Sequence, residues 1–170
     1  MSPKLLSLVF VLLLLAGCNK NPFEVVISRC PAVAVIGDIA TYSEFKPGAT
    51  TRRQEDLAFT AAISDITVSC EQNNAVAATV DFSILARRYD ETGQSSLQLP
   101  YFVAILKDNN TLISKKNFET SVAFGPEGLG RVDDRFLVDI PTIEQARTYS
   151  YEILIGFDLE PGDVYYNLVR

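Results

Sequence analysis

The sequence predicts an all-β fold, an antiparallel β-sandwich of seven or eight strands. Three observations carry that prediction. Apolar residues recur with period two, as where Val76, Ala78, Val80, Phe82 and Ile84 alternate with Ala77, Thr79, Asp81 and Ser83. Strand side chains point alternately to opposite faces, so such a run buries one face and wets the other. Turn-forming residues punctuate the runs at short intervals. Helical periodicity is nearly absent, and Ile143 to Arg147 is the one helix candidate, a single turn at most.

The elements follow in order. Ala32 to Ile36 is a short apolar strand. Leu57, Phe59, Ala61 and Ile63 share one face of the next, after which the phase slips and Ile66, Val68 and Cys70 take the even positions. A one-residue slip moves every later side chain to the other face, so a β-bulge or break is expected near Ser64-Asp65. Glu71 to Asn74 is a turn signal, and Val76 to Ile84 a long half-buried strand. Arg87-Arg88 to Ser96 reads as a polar loop. Leu97 to Lys107 is apolar on both faces. Its Pro100 has no N–H for a ladder, which places the strand at an edge or after a kink. Asp108-Asn109-Asn110 turns into Thr111-Leu112-Ile113, completing a hairpin. Gly125 to Gly130 is a glycine-rich loop. Val132, Phe136, Val138 and Ile140 mark the next strand, and Tyr149 to Phe157 the last.

Ile140-Pro141, followed by Tyr149-Ser150-Tyr151-Glu152-Ile153-Leu154-Ile155, is similar to the E–F corner of immunoglobulin and fibronectin type III domains. There a tyrosine near the start of strand F hydrogen-bonds back across the corner. The resemblance implies an immunoglobulin/fibronectin III-like sandwich with Tyr149 or Tyr151 in that role. The strand-C tryptophan of antibody domains has no counterpart here, which leaves the topology open.

The amino terminus has a different character. Lys4 is the only charge in the first eighteen residues, and Leu5 to Leu15 is apolar but for Ser7. That run is too short to span a bilayer, which takes ~20 residues, and has the build of a secretory leader. It ends in Leu15-Ala16-Gly17-Cys18, which resembles the lipobox of bacterial lipoprotein precursors. The resemblance implies that the Cys18 thiol receives a diacylglyceryl group, that a signal peptidase cuts before it, and that the new amine is acylated in turn. It also implies a division into leader 1–17, lipidated anchor and tether 18–29, and sandwich domain 30–170. The residue after the cysteine is Asn19 rather than Asp. By the enteric sorting pattern this points to the outer membrane, facing the periplasm. The chain is similar to small Gram-negative lipoproteins of this kind, a resemblance that brings no activity with it.

The formal charge is −6, and loss of Lys4 with the leader makes it −6 − 1 = −7. An acidic chain is a poor partner for nucleic acid or an anionic headgroup layer, so attachment to a membrane is expected through the lipid. From Cys18 to Cys30 the extended chain reaches only about 40 Å, which keeps the domain close to the membrane. Of the three cysteines, Cys18 is assigned to the lipid. Cys30 and Cys70, exported to an oxidising compartment, are expected to form a disulfide, with two buried free thiols as the alternative. Closing that loop would stabilise the fold by roughly 4 kcal/mol on the chain-entropy account.

The chain has no histidine, which excludes Ser–His and Cys–His nucleophilic pairs, and no metal or cofactor is expected. Lys115-Lys116 lies in a polar segment, so at least one lysine faces water instead of serving as a desolvated base. Asp133 and Asp134 are strand neighbours, point to opposite faces and cannot act as one acid/base pair. Glu55-Asp56 after Arg52-Arg53 reads as a solvated charge cluster, and Asp108 to Asn110 lacks the spacing of a calcium loop. The loop Gly125-Pro126-Glu127-Gly128-Leu129-Gly130 precedes a strand, not a helix, so it is a wide turn and not a phosphate loop. The best candidates for a recognition surface are the aromatics Tyr101, Phe102, Tyr165 and Tyr166, with core and edge packing as their alternative role. The expectation is therefore a non-enzymatic, lipid-anchored protein that binds another envelope protein. Binding of a small ligand or glycan through loop tyrosines with Asp108, Asn109 and Asn110 is the second reading, and an enzyme of carboxylate type the third.

Overall fold

The period-two runs become eight strands in the computed structural model, which describes residues 29–89 and 94–169. The strands are β1 (Ala32–Val35), β2 (Thr41–Phe45), β3 (Leu57–Gln72), β4 (Val76–Arg88), β5 (Ser96–Lys107), β6 (Thr111–Ala123), β7 (Leu129–Ile140) and β8 (Tyr151–Phe157). Two short helices, α1 (Ile143–Thr148) and α2 (Pro161–Leu168), flank β8. Cys18 and the expected leader 1–17 lie outside the described residues.

One sheet has the order β1-β8-β5-β6 and the other β2-β3-β4-β7. Only β1 and β8 pair in parallel; every other pair is antiparallel. The sandwich is as the alternation predicts. Its strand order is not that of an immunoglobulin-type domain. In immunoglobulin-type domains the last two strands, F and G, share a sheet, whereas here β7 and β8 lie in different sheets. Tyr149 is the C-terminal cap of α1, with the Lys107 ammonium 3.3 Å above its ring.

The core forms where the inward rows of the two sheets meet. Val80, Phe82 and Ile84 of β4 oppose Leu99, Tyr101 and Val103 of β5 and Ile153, Ile155 and Phe157 of β8, all buried. Phe82 meets Tyr101 edge-on at 5.5 Å, and Tyr42 meets Phe157 at 5.9 Å. Fully burying each such side chain is worth about 1.5–3 kcal/mol. The phase slip in β3 is a bulge: the pairing with β4 shifts between Ser64 and Thr67, and Asp65 has φ +52°. The β5–β6 hairpin turns through Asp108 and Asn109, at φ +53° and +60°, the pair of positive angles that matches strand twist in a tight hairpin. Cys30 and Cys70 stand at disulfide distance, with Cα atoms 5.9 Å apart, and the bridge ties the entry of β1 to the far end of β3.

Four details depart from expectation. First, β4 runs through Arg87-Arg88, where a polar loop is expected, because both residues still pair with β3. Second, β5 is an interior strand despite Pro100. The proline is tolerated because N and C=O of one residue point the same way, and on that side β8 pairing ends at Tyr101–Phe157. The Pro100 carbonyl accepts from Asp158 N–H, and the missing N–H faces no strand. Third, a second helix, α2, forms where only α1 is expected. Its signal is Pro161 in the first turn, where the absent N–H costs nothing. Fourth, the charge cluster before β3 is not merely solvated: Arg52 pairs with Asp163 of α2 and lies over the Phe45 ring.

Candidate functional site

β6 and β7 are both outer strands of their sheets, and they run along the same side of the sandwich. Pairing of β5 with β6 places Ser114, Lys116, Phe118, Thr120 and Val122 on the inward face, opposite Ile105, Val103, Tyr101, Leu99 and Leu97. An inward row in a closed sandwich would be buried throughout. Here only Val122 is buried, and Phe118 is 38% exposed.

The reason is a wedge. At the Val122 end the sheets touch through Gly130. A Cβ there would lie 2.5 Å from the Ala123 carbonyl oxygen and 2.6 Å from Val122 Cγ1, so only glycine allows the approach. Towards Ser114 and Asp139 the strands part. They leave a cleft of about 380 Å³, walled by Val103, Ile105 and Phe118 from one sheet and Phe136 and Val138 from the other. Phe118 stacks on Tyr101 at 5.2 Å, and Phe136 lies 6.1 Å from Phe82, so the cleft wall is continuous with the core.

Its polar features are few. The Tyr101 hydroxyl donates to Asp134 Oδ2 at 2.5 Å. Burial, and then the Asp134 carboxylate beside it, push the Tyr101 hydroxyl pKa well above the ordinary tyrosine range. Lys116 at the mouth has no ion pair or hydrogen bond with a described residue. Asp133, as its spacing predicts, points the other way. It accepts from Ser83 Oγ at 2.7 Å and Arg131 Nε at 2.8 Å, and these two hydrogen bonds hold its carboxyl below the usual range. Arg131 also reaches Asp65, and Arg135 reaches Asp81, so the outer face of this sheet carries a matched polar network.

The four aromatics singled out in the sequence do not form one surface. Tyr101 is core, stacked inside the cleft wall. Its neighbour Phe102 points to the opposite face, buried beneath Lys115 and beside Gly156. Tyr166 packs edge-on against Phe45 at 5.1 Å. Tyr165 alone is freely exposed, at 67%. The turn Asp108–Asn110 is explained by its backbone, with Asp108 Oδ1 accepting from Ser150 N–H. Lys115 pairs with Asp158 at 3.7 Å and lies over the Phe102 ring. Among the described residues no group of three His, Cys, Asp or Glu is placed to hold a metal, and no helix is long and apolar enough to cross a membrane.

Sequence reasoning missed Phe118, Phe136, Asp134 and Gly130. The available signal was the mixed row Ser114, Lys116, Phe118, Thr120, Val122, too polar for a closed core and too apolar for an open face. No protein-family model, curated protein or solved structure matches this chain.

Proposed function

We propose that the chain is a non-enzymatic lipoprotein, anchored through Cys18 at the periplasmic face of the outer membrane, that binds an envelope protein along the β6–β7 edge. The observation that carries this reading is two strand edges that no described strand covers, with an apolar cleft between them. A free edge presents unpaired N–H and C=O groups, which an added strand satisfies. The occupant is an extended segment of the partner that pairs with β6 and turns alternate apolar side chains into the cleft. Lys116 at the mouth, with no ion pair or hydrogen bond to a described residue, favours an acidic residue on that segment. The leader supports the address: a short apolar run ending in Leu-Ala-Gly-Cys.

The test is site-specific photo-crosslinking in intact envelopes from positions 116 and 118, with position 53 at the far end as control. Support is an adduct to one extended peptide of one protein from both β6 positions, the position-116 adduct being lost when Phe118 is replaced by Lys. Equal yields from position 53, or none from β6, would remove the reading. The second reading is a small apolar ligand, favoured by the size of the cleft. A thermal-shift screen with cell-wall fragments and apolar metabolites separates the two.

A further inference from the structure

The end of the sandwich where the chain enters carries a second pocket of about 300 Å³. It is bounded on one side by Arg29 and Cys30 and on the other by Arg147, Thr148, Tyr149 and Tyr151. Most other described cations already have partners. Arg52, Arg53, Lys115, Arg131 and Arg135 form ion pairs. Lys46 and Arg88 donate to carbonyls. Arg29 and Arg147 have neither an ion pair nor a hydrogen bond with a described residue. Lys107 adds a third positive charge, held over Tyr149 by its ring. Two arginines thus line one pocket, and a lysine stands over one of its tyrosines, in a chain whose net charge is −6. The carboxylates nearest in sequence are Glu24, which lies outside the described residues, and Glu144, Glu152 and Asp108. Asp108 is engaged by the Ser150 N–H at 3.0 Å.

We infer that this pocket binds a phosphate group through the Arg29 and Arg147 guanidiniums. Guanidinium presents parallel N–H donors that match the oxygens of a phosphate and is always charged. The tyrosine hydroxyls add neutral hydrogen-bond donors. The position suggests where the phosphate comes from. The successive ladders β1–β8, β8–β5 and β5–β6 put Ala32, Glu152, Leu106 and Leu112 in one row, so the pocket lies at the Arg29 end of that sheet. From Cys18 to Arg29 the chain extends about 40 Å at most. If Cys18 is acylated as proposed above, the pocket stays within reach of phospholipid headgroups, and seating one there would fix the orientation of the sandwich on its membrane. That last step rests on the anchor reading; the phosphate chemistry does not.

The experiment uses the full-length protein in neutral detergent. With no tryptophan, intrinsic emission comes from the chain's seven tyrosines, and the part of the response that Tyr149→Phe/Tyr151→Phe removes is the part that reports on the pocket. Inorganic phosphate and short-chain phosphatidylglycerol are titrated separately, with short-chain phosphatidylcholine as the zwitterionic comparison. The expected result is a saturable, salt-sensitive response, weakened at least tenfold in R29Q/R147Q. K46Q/R53Q, the same charge change at the opposite end, should bind as wild type does. A response to inorganic phosphate identifies the site as one for free anions. A response to phosphatidylglycerol alone identifies it as a headgroup site. Either supports the pocket, and the phosphate arm stands even where mass spectrometry finds Cys18 unmodified. No response to either probe, or an equal response in R29Q/R147Q, overturns the inference.

Discussion

Replacing Gly130 with alanine tests the wedge that opens the cleft. The added methyl would lie 2.5 Å from the Ala123 carbonyl oxygen and 2.6 Å from Val122 Cγ1. The first obstacle is backbone and the second a fully buried side chain, so neither yields without moving a strand. Forcing an extra carbon into a packed interior costs about 1–3 kcal/mol. Against this, alanine loses less backbone freedom than glycine on folding, worth about 0.4–1 kcal/mol. The net expectation is a loss of about 1–2 kcal/mol. At this size that corresponds to a fall of about 2–8 °C in melting temperature. Gly37→Ala is the control, because nothing lies within 4 Å of its added carbon and its φ is not positive. It should be neutral or slightly stabilising. Gly156→Ala falls between them, because its methyl overlaps the Ile39 side chain, which can turn aside. Urea denaturation of the three variants reads these differences. Equal midpoints for Gly130→Ala and wild type, or an equal loss in Gly37→Ala, would refute the argument that glycine is required where the sheets meet.

The remaining predictions rest on single contacts. Cys30→Ala/Cys70→Ala should lower stability by roughly 4 kcal/mol, given the 40-residue separation, and alkylation before and after reduction should show both thiols protected in the wild type. Tyr101→Phe removes the donor to half-buried Asp134 and should cost about 1 kcal/mol in urea denaturation, with the core volume unchanged. Burial raises the hydroxyl pKa of Tyr42 to about 12, and Tyr101 is raised as well, so both bind their protons more tightly folded than unfolded. Their contribution is therefore full below pH 10 and lost as pH rises through the folded values, so stability should decline above pH 10 and decline less in Tyr101→Phe. Cys18→Ser should abolish acylation and the lipoprotein-specific cleavage. Mass spectrometry of the wild type finding an amino terminus at Cys18 with no acyl mass would defeat the anchor reading.

Much of the strand pattern can be read directly, because strand side chains alternate over neighbouring residues. Val76 to Ile84 shows its buried face in five consecutive even positions, and the slip at Ser64-Asp65 announces the bulge. The turn at Asp108-Asn109 is local chemistry too, since those residue types tolerate positive φ. The residues behind the expected leader and anchor, Leu5 to Cys18, are likewise contiguous. Pairing between distant segments is not local, and there the reading fails. Whether β5 is an edge or an interior strand depends on β8, some fifty residues later, which covers it only as far as Tyr101. Tyr101 and Phe102 look alike in sequence, yet one completes the cleft wall against Phe118 and the other lies on the outer face under Lys115. The cleft lies where β6 and β7 part, beyond the end at which Gly130 lets the two sheets meet. Periodicity sets which face of a strand is apolar; only the packing of one sheet on the other decides how much of that face is covered.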